Sequence, residues 1–229
     1  MTRKFVTFTL AAAVVASLGA ITGCSSGNSG DSAATSTTGH AVTPVGNDQS
    51  TPNGPSPYRY LPKVPSFTVT SQTVHDGSPL PTPQLSGVLK VPGGQDISPQ
   101  LSWSGFPAQT KSFVVSMYDP QAPTGSGFWH WIVADIPAGT TALPEGAGVP
   151  DSKTLGAGAF QLPDDAGAAR YIGGAPPAGS GVHNYYLTVT ALDVDKSGVT
   201  TTSSGALLGF TIGGHTIARA TMILPTQAN

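Results

Sequence analysis

The sequence predicts a mainly β protein, an antiparallel sandwich or barrel, and three observations carry that prediction. Gly (29) and Pro (21) are abundant among the 229 residues and Glu is nearly absent, a composition that opposes long helices. Apolar and polar residues alternate over several short segments, the period of half-buried strands. Turn signals separate those segments at regular spacing, as in sheets built from short strands. Composition also excludes some functions. The net charge is −2, and past residue 58 Lys and Arg occur singly, so no basic stripe exists to neutralise a phosphate backbone and no nucleic-acid partner is expected. Cys24 is the one cysteine, which rules out an intrachain disulfide.

In chain order, Arg3 and Lys4 form a basic opening, and an apolar run follows from Phe5 to about Ile21. The run ends in Ile21-Thr22-Gly23-Cys24, which resembles the bacterial lipobox, where small residues precede a cysteine that is diacylated and becomes the mature N-terminus. Residues 1–23 are therefore expected to be a lipoprotein signal peptide and Cys24 the lipidation site. That would anchor the protein to the membrane of a bacterial cell envelope on its extracytoplasmic side. An ordinary signal peptide or a transmembrane anchor are the alternatives. Residues 24–62 read as a flexible tether, rich in Ser, Thr, Gly, Asn and Pro and without an aromatic residue as far as Pro57. Such a chain would hold a folded domain on the order of 30 Å from the membrane.

Residues 63–229 are expected to be the folded domain. Ser66–Val74 alternates as a strand, and Pro79, Pro81 and Pro83 then exclude a central one. Gly93–Trp103 runs from a loop into a short strand. Lys111–Tyr118 is a strand with Phe113, Val115 and Met117 on one face. Trp129–Ile136 is densely apolar, a strand covered on both faces. Asp151–Gly181 is a long connection rich in Gly, Asp and Pro, a length that is uncommon without a function. Tyr185–Asp193 alternates strictly. Ser204–Ile217 is the one helical candidate, kept short by its glycines, and Arg219–Leu224 is a last strand or a helix end.

The groups able to do chemistry lie in Tyr118–Asp135 and Gly179–Tyr185. Asp119 ends a strand before Pro120, and taken alone it is a turn-capping residue. His130 sits between Trp129 and Trp131, and taken alone it is a core histidine. His183 follows Gly179-Ser180-Gly181 at the start of a strand. Together they place one carboxylate and two imidazoles at strand ends beside Gly and Pro loops, where backbone can approach a ligand closely. No pair has helical metal-ligand spacing, so no metal and no cofactor is expected. Neither Ser126 nor Ser180 has Gly two positions before it, so no nucleophile elbow is present, and no phosphate-binding glycine fingerprint occurs.

Asp119-Pro120-x-Ala122-Pro123, then Trp129-His130, then Gly181-x-His183-x-Tyr185 resemble the phosphatidylethanolamine-binding protein family, and more closely its bacterial branch, the Raf kinase inhibitor-like proteins. The likeness extends over about residues 64–225, through Ile97-Ser98-Pro99, Leu143-Pro144-Glu145-Gly146, Pro176-Pro177 and Gly214-His215. The resemblance implies an antiparallel β-sandwich of a large and a smaller sheet with a few short helices near the C-terminus. It also implies a pocket at one end for phosphate-like anions or phospholipid head groups. Asp119, His130, His183 and Tyr185 would line that pocket, with Asp119 orienting an imidazole and the histidines donating to the anion. Pro120, Pro123, Trp129 and Gly181 would support it. Three departures stand out. Gln121 replaces the usual second aspartate, Asn184 the usual arginine, and Gly173-Gly174-Ala175-Pro176-Pro177 the usual G-P-C-P-P loop. Losing one acid and one base together suggests a compensating pair.

The expected function is that of a membrane-tethered, non-enzymatic binding protein for a small anionic ligand or a phospholipid head group. Two alternatives stay open. One is inhibition of an extracytoplasmic protease or a kinase by protein contact, and the other an enzyme using Asp119 and the two histidines. A protein target or a homodimer is also left open.

Overall fold

The computed structural model describes residues 54–228. The expected signal peptide, Cys24 and most of the expected tether lie outside those residues. Among these residues eight strands and one α-helix form. They are β1 (Thr68–Thr70), β2 (Leu101–Ser104), β3 (Ser112–Asp119), β4 (Phe128–Pro137), β5 (Ala142–Leu143), β6 (Phe160–Gln161), β7 (Val182–Leu192), α1 (Gly205–Ile212) and β8 (Thr216–Gln227). A single 3-10 turn covers Thr82–Gln84. The few C-terminal helices expected are thus one among the described residues. No helix of those residues is long and apolar enough to cross a membrane.

The strands make two antiparallel sheets, a small one in the order β1-β2-β5 and a large one in the order β6-β4-β3-β7-β8. Period-two alternation explains the stacking. Phe113, Val115 and Met117 of β3 and Leu187, Val189 and Ala191 of β7 point to one face, where they meet Leu101, Trp103 and Leu143 of the small sheet. Each large side chain buried there contributes on the order of 2 kcal/mol. The other face of the large sheet carries Val114, Ile132, Ala134 and Leu192, and Leu208 and Ile212 of α1 cover it. The Ser204 hydroxyl caps α1 by accepting from the Leu207 N–H, and the Gly213-Gly214 pair ends it.

Two local differences from the sequence reading, and one alternative that it left open, have physical causes. The strand expected over Ser66–Val74 pairs only at Thr68–Thr70, because the Ser71 hydroxyl accepts from the N–H groups of Thr73 and Val74 and bends the chain out of the ladder. Arg219–Leu224 lies within a long strand, which β7 pairs from Leu192 to Val182; Pro225 fits there because β8 is the sheet edge. The tether expected to reach residue 62 is already packed at Ser56, which is 1% exposed. Next to it the Tyr58 hydroxyl lies 2.8 Å from Thr188 Oγ1 and its ring meets Tyr186 edge-on at 5.8 Å. Tyr58 ends the aromatic-free stretch, and it is the residue with apolar area to bury.

β4 departs from regular pairing twice. Between Phe113 and Val115 the register slips opposite Ala134 and Asp135, and Asp135 takes φ +58. Between Met117 and Tyr118 it slips again. Met117 faces Trp131 and Tyr118 faces Trp129, which leaves His130 as the extra residue of a bulge.

Candidate ligand-binding site

The inward face of β3 runs Phe113, Val115, Met117 and then Asp119. The inward face of β7 runs Ala191, Val189, Leu187, Tyr185 and then His183. The register pairs Tyr118 with Tyr186, so Asp119 falls beside Tyr185 and His183 at one end of the sheet. His130 could not join them on a regular strand, since Trp131 already takes the inward position beside it. The bulge turns it inward, and its ring packs against Phe128 (4.7 Å) and edge-on to Tyr185 (5.1 Å).

Asp119 is 2% exposed and fully engaged. Its Oδ2 accepts from His183 Nδ1 at 2.7 Å and its Oδ1 from the Gln121 N–H at 2.9 Å. The Tyr185 hydroxyl accepts from the Ala175 N–H at 3.1 Å. Burial first, and the Asp119 carboxylate second, push the Tyr185 phenol far above its ordinary range, so it stays a neutral hydroxyl. His183 Nε2 lies 2.8 Å from Ser180 Oγ, and that hydroxyl lies 2.7 Å from the Pro177 carbonyl. Asp119 can only accept, so it fixes the proton on Nδ1. Neutral His183 then accepts from Ser180 through Nε2. Protonated His183 donates through Nε2 instead, and the hydroxyl turns to Pro177.

His130 is held differently from the expectation that both histidines donate. Its Nδ1 lies 3.0 Å from the Ile172 carbonyl and 3.1 Å from that of Gly173. Carbonyls only accept, so Nδ1 carries the proton. Burial pushes the imidazole below its ordinary value, against the smaller opposing pull of these carbonyls and Asp119. Neutral His130 therefore keeps an unprotonated Nε2, a hydrogen-bond acceptor, for the cavity.

Asp96, which carried no functional signal in the sequence, supports this arrangement. Its Oδ1 accepts from Ser86 Oγ at 2.7 Å and from the Gly173 N–H at 2.8 Å, and its Oδ2 from the Val88 N–H at 2.9 Å. Burial pushes its carboxyl up, but these bonds outweigh burial and hold it below the usual carboxylate range. Gly173 is thereby fixed from one side while its carbonyl fixes His130 from the other. A Cβ at residue 173 would run into the backbone of Leu85 and Ser86, so glycine is required.

These groups open onto one cavity of about 110 Å³, or about 380 Å³ with its mouth, walled also by Leu89, Phe128 and Pro177. Asp119, His130, His183, Tyr185 and Pro123 line it. Pro120 and Gly181 flank it without lining it. Trp129 as a supporting residue is corrected: the bulge sends it to the opposite face, against Tyr118 at 4.4 Å and the cluster under α1. Gln121 Oε1 accepts from the backbone N–H of Asn184 at 2.9 Å, so the two departures meet, through the main chain of residue 184. Ser180 is the further residue that the sequence left unassigned. Its spacing of three before His183 was visible, but the turn that brings the hydroxyl back to Nε2 was not.

Residues 70–227 match the protein family described as phosphatidylethanolamine-binding protein. YbcL of Escherichia coli, a UPF0098 protein, is 45% identical over 155 residues, covering 68% of this chain and 84% of YbcL. LppC of Mycobacterium tuberculosis, which carries the name of a lipoprotein, is 32% identical over 185 residues, 81% of this chain and 79% of LppC. The crystal structure of YbcL, described as a new member of the mammalian family, superposes with a TM-score of 0.68 at 42% identity. It covers 72% of this chain and 99% of that one.

Proposed function

This chain belongs to the phosphatidylethanolamine-binding protein family, and on that premise we propose that it is a lipid-anchored, non-enzymatic binding protein whose cavity takes a phosphate-like group, free or on a phospholipid head group. The observation that carries this reading is the convergence of His183, held by Asp119 and Ser180, with the unprotonated Nε2 of His130 in one small cavity. A phosphate oxygen can accept from protonated His183 as Ser180 turns aside to Pro177. A second phosphate oxygen meets His130 Nε2 through one proton, carried by the ligand or taken up by the ring. The apolar walls exclude water from these bonds and strengthen them. The expected lipid anchor at Cys24 would keep the pocket at a membrane surface. The similarity to LppC, which carries the name of a lipoprotein, supports the anchor.

Thermal unfolding of the protein with and without inorganic phosphate or phosphoethanolamine tests the reading. A ligand at 100 times its Kd adds about 2.7 kcal/mol to the native state, a rise of several degrees in Tm. His130→Ala and His183→Ala should each remove that rise. An undiminished rise in both variants would show that binding occurs elsewhere.

One observation favours a second reading. Asp119, His183 and Ser180 follow the order in which a carboxylate and an imidazole activate a serine. Labelling of Ser180 by a fluorophosphonate, lost in His183→Ala, would support an enzyme. Absence of labelling leaves the binding reading.

A further inference from the structure

The outer face of the large sheet holds a second cavity, away from the Asp119 pocket. It lies between α1 and the strands, of about 70 Å³, or about 550 Å³ with its open mouth. Val114, Trp129, Leu208 and Ile212 make its walls apolar, and Leu61 and Pro62 stand at its rim. Arg219 of β8 also lines it and is only 7% exposed. An arginine with so little of its surface in water ordinarily has a carboxylate or several carbonyls around it. Here no described residue accepts a hydrogen bond from the Arg219 side chain and no described carboxylate pairs with it. Among the described residues its side chain has one partner, the face of Tyr58, 5.2 Å from the guanidinium carbon. A ring face attracts a cation but takes none of its five N–H donors. The hydroxyls of Ser116 and Thr190 line the same wall. The cavity thus offers a partly desolvated fork of donors at one place and hydrocarbon around the rest.

We propose that this cavity is a second binding site, for a small monocarboxylate with an unbranched or aromatic body: its carboxylate meets the Arg219 guanidinium and its apolar body lies between α1 and Trp129. The planar fork matches a carboxylate with two parallel N–H bonds, a pairing that a neutral amide of the same shape cannot make. The enclosed space suits a body of a few carbons, and the open mouth lets a longer one emerge beside α1.

Hexanoate is the probe, with hexanamide as its neutral counterpart, titrated into the full-length protein and read by saturation-transfer NMR. Hexanoate should bind at least tenfold more tightly than hexanamide. Arg219→Met should remove that preference while leaving the response to inorganic phosphate intact. Because Arg219 also packs on Tyr58, a second variant keeps the test open if Arg219→Met fails to fold. Gly209→Phe blocks the mouth from a position whose Cβ meets nothing within 4 Å, and leaves Arg219 and Tyr58 in place. It should abolish hexanoate binding. Equal affinity for the acid and the amide, no binding of hexanoate at millimolar concentration, or unchanged binding in Gly209→Phe would overturn the proposal.

Discussion

His130 carries its proton on Nδ1 because two carbonyls leave it no choice, and it stays neutral because it is 3% exposed. Its pKa in the folded protein lies below the ordinary 6.5. The unfolded chain therefore takes up a proton at this residue, as pH falls through about 6.5, that the folded chain refuses. Stability from His130 is present at pH 7.5 and is lost as the solution is acidified. Melting curves between pH 7.5 and 5.5 should show Tm falling, and His130→Gln, whose amide can still donate to the two carbonyls, should show a shallower fall. Equal slopes would mean that the buried imidazole is not the group responsible. The sequence marked Asp119, His130, His183 and Tyr185 through short motifs that keep their order. It could not show which nitrogen of His130 faces the cavity, because that depends on carbonyls 42 and 43 residues away.

At the scale of elements, two bulges in β4 decide what the strand presents. The one at His130 sends Trp129 outward, and a reading based on strict alternation has no means of seeing it, since one extra residue reverses every face beyond it. The other is fixed by Asp135, at φ +58, whose Oδ1 accepts from both the N–H and the hydroxyl of Ser197 at 2.7 Å. Asp135→Val loses both bonds and places a β-branched residue in a left-handed conformation, so it should cost about 3 kcal/mol. Asp135→Asn keeps the conformation and an acceptor and should cost about 1 kcal/mol. Urea unfolding of the two variants checks the ranking, and equal losses would place the effect in the charge rather than in the backbone. Long strands were legible from alternation, as in Tyr185–Leu192. The edges were not, because hydroxyls such as Ser71 compete with the ladder through local bonds that alternation does not record.

For the whole molecule, the sequence made the sandwich and its family legible because strand periodicity and several ordered motifs agree over most of the domain. It placed the start of the packed chain too late, since Tyr58 docks on Thr188 and Tyr186, residues far off in sequence. The proposed lipid anchor belongs to this scale as well. Cys24→Ser should move the protein from the membrane fraction to the soluble fraction after cell breakage. Retention at the membrane with an uncleaved N-terminus would instead identify a transmembrane anchor.

In the proposed complex the cavity binds a phosphate group through His183 and a proton shared with His130. In the phosphate range the complex then holds more protons than its free partners, and affinity must rise as pH falls. Calorimetric titration of phosphoethanolamine at pH 8 and pH 6, each in two buffers of different ionisation heat, measures affinity and proton uptake together. The expected result is binding roughly tenfold tighter at pH 6, with net proton uptake at pH 8, and both lost in His183→Ala. Binding that ignores pH, takes up no proton and survives His183→Ala would contradict the account.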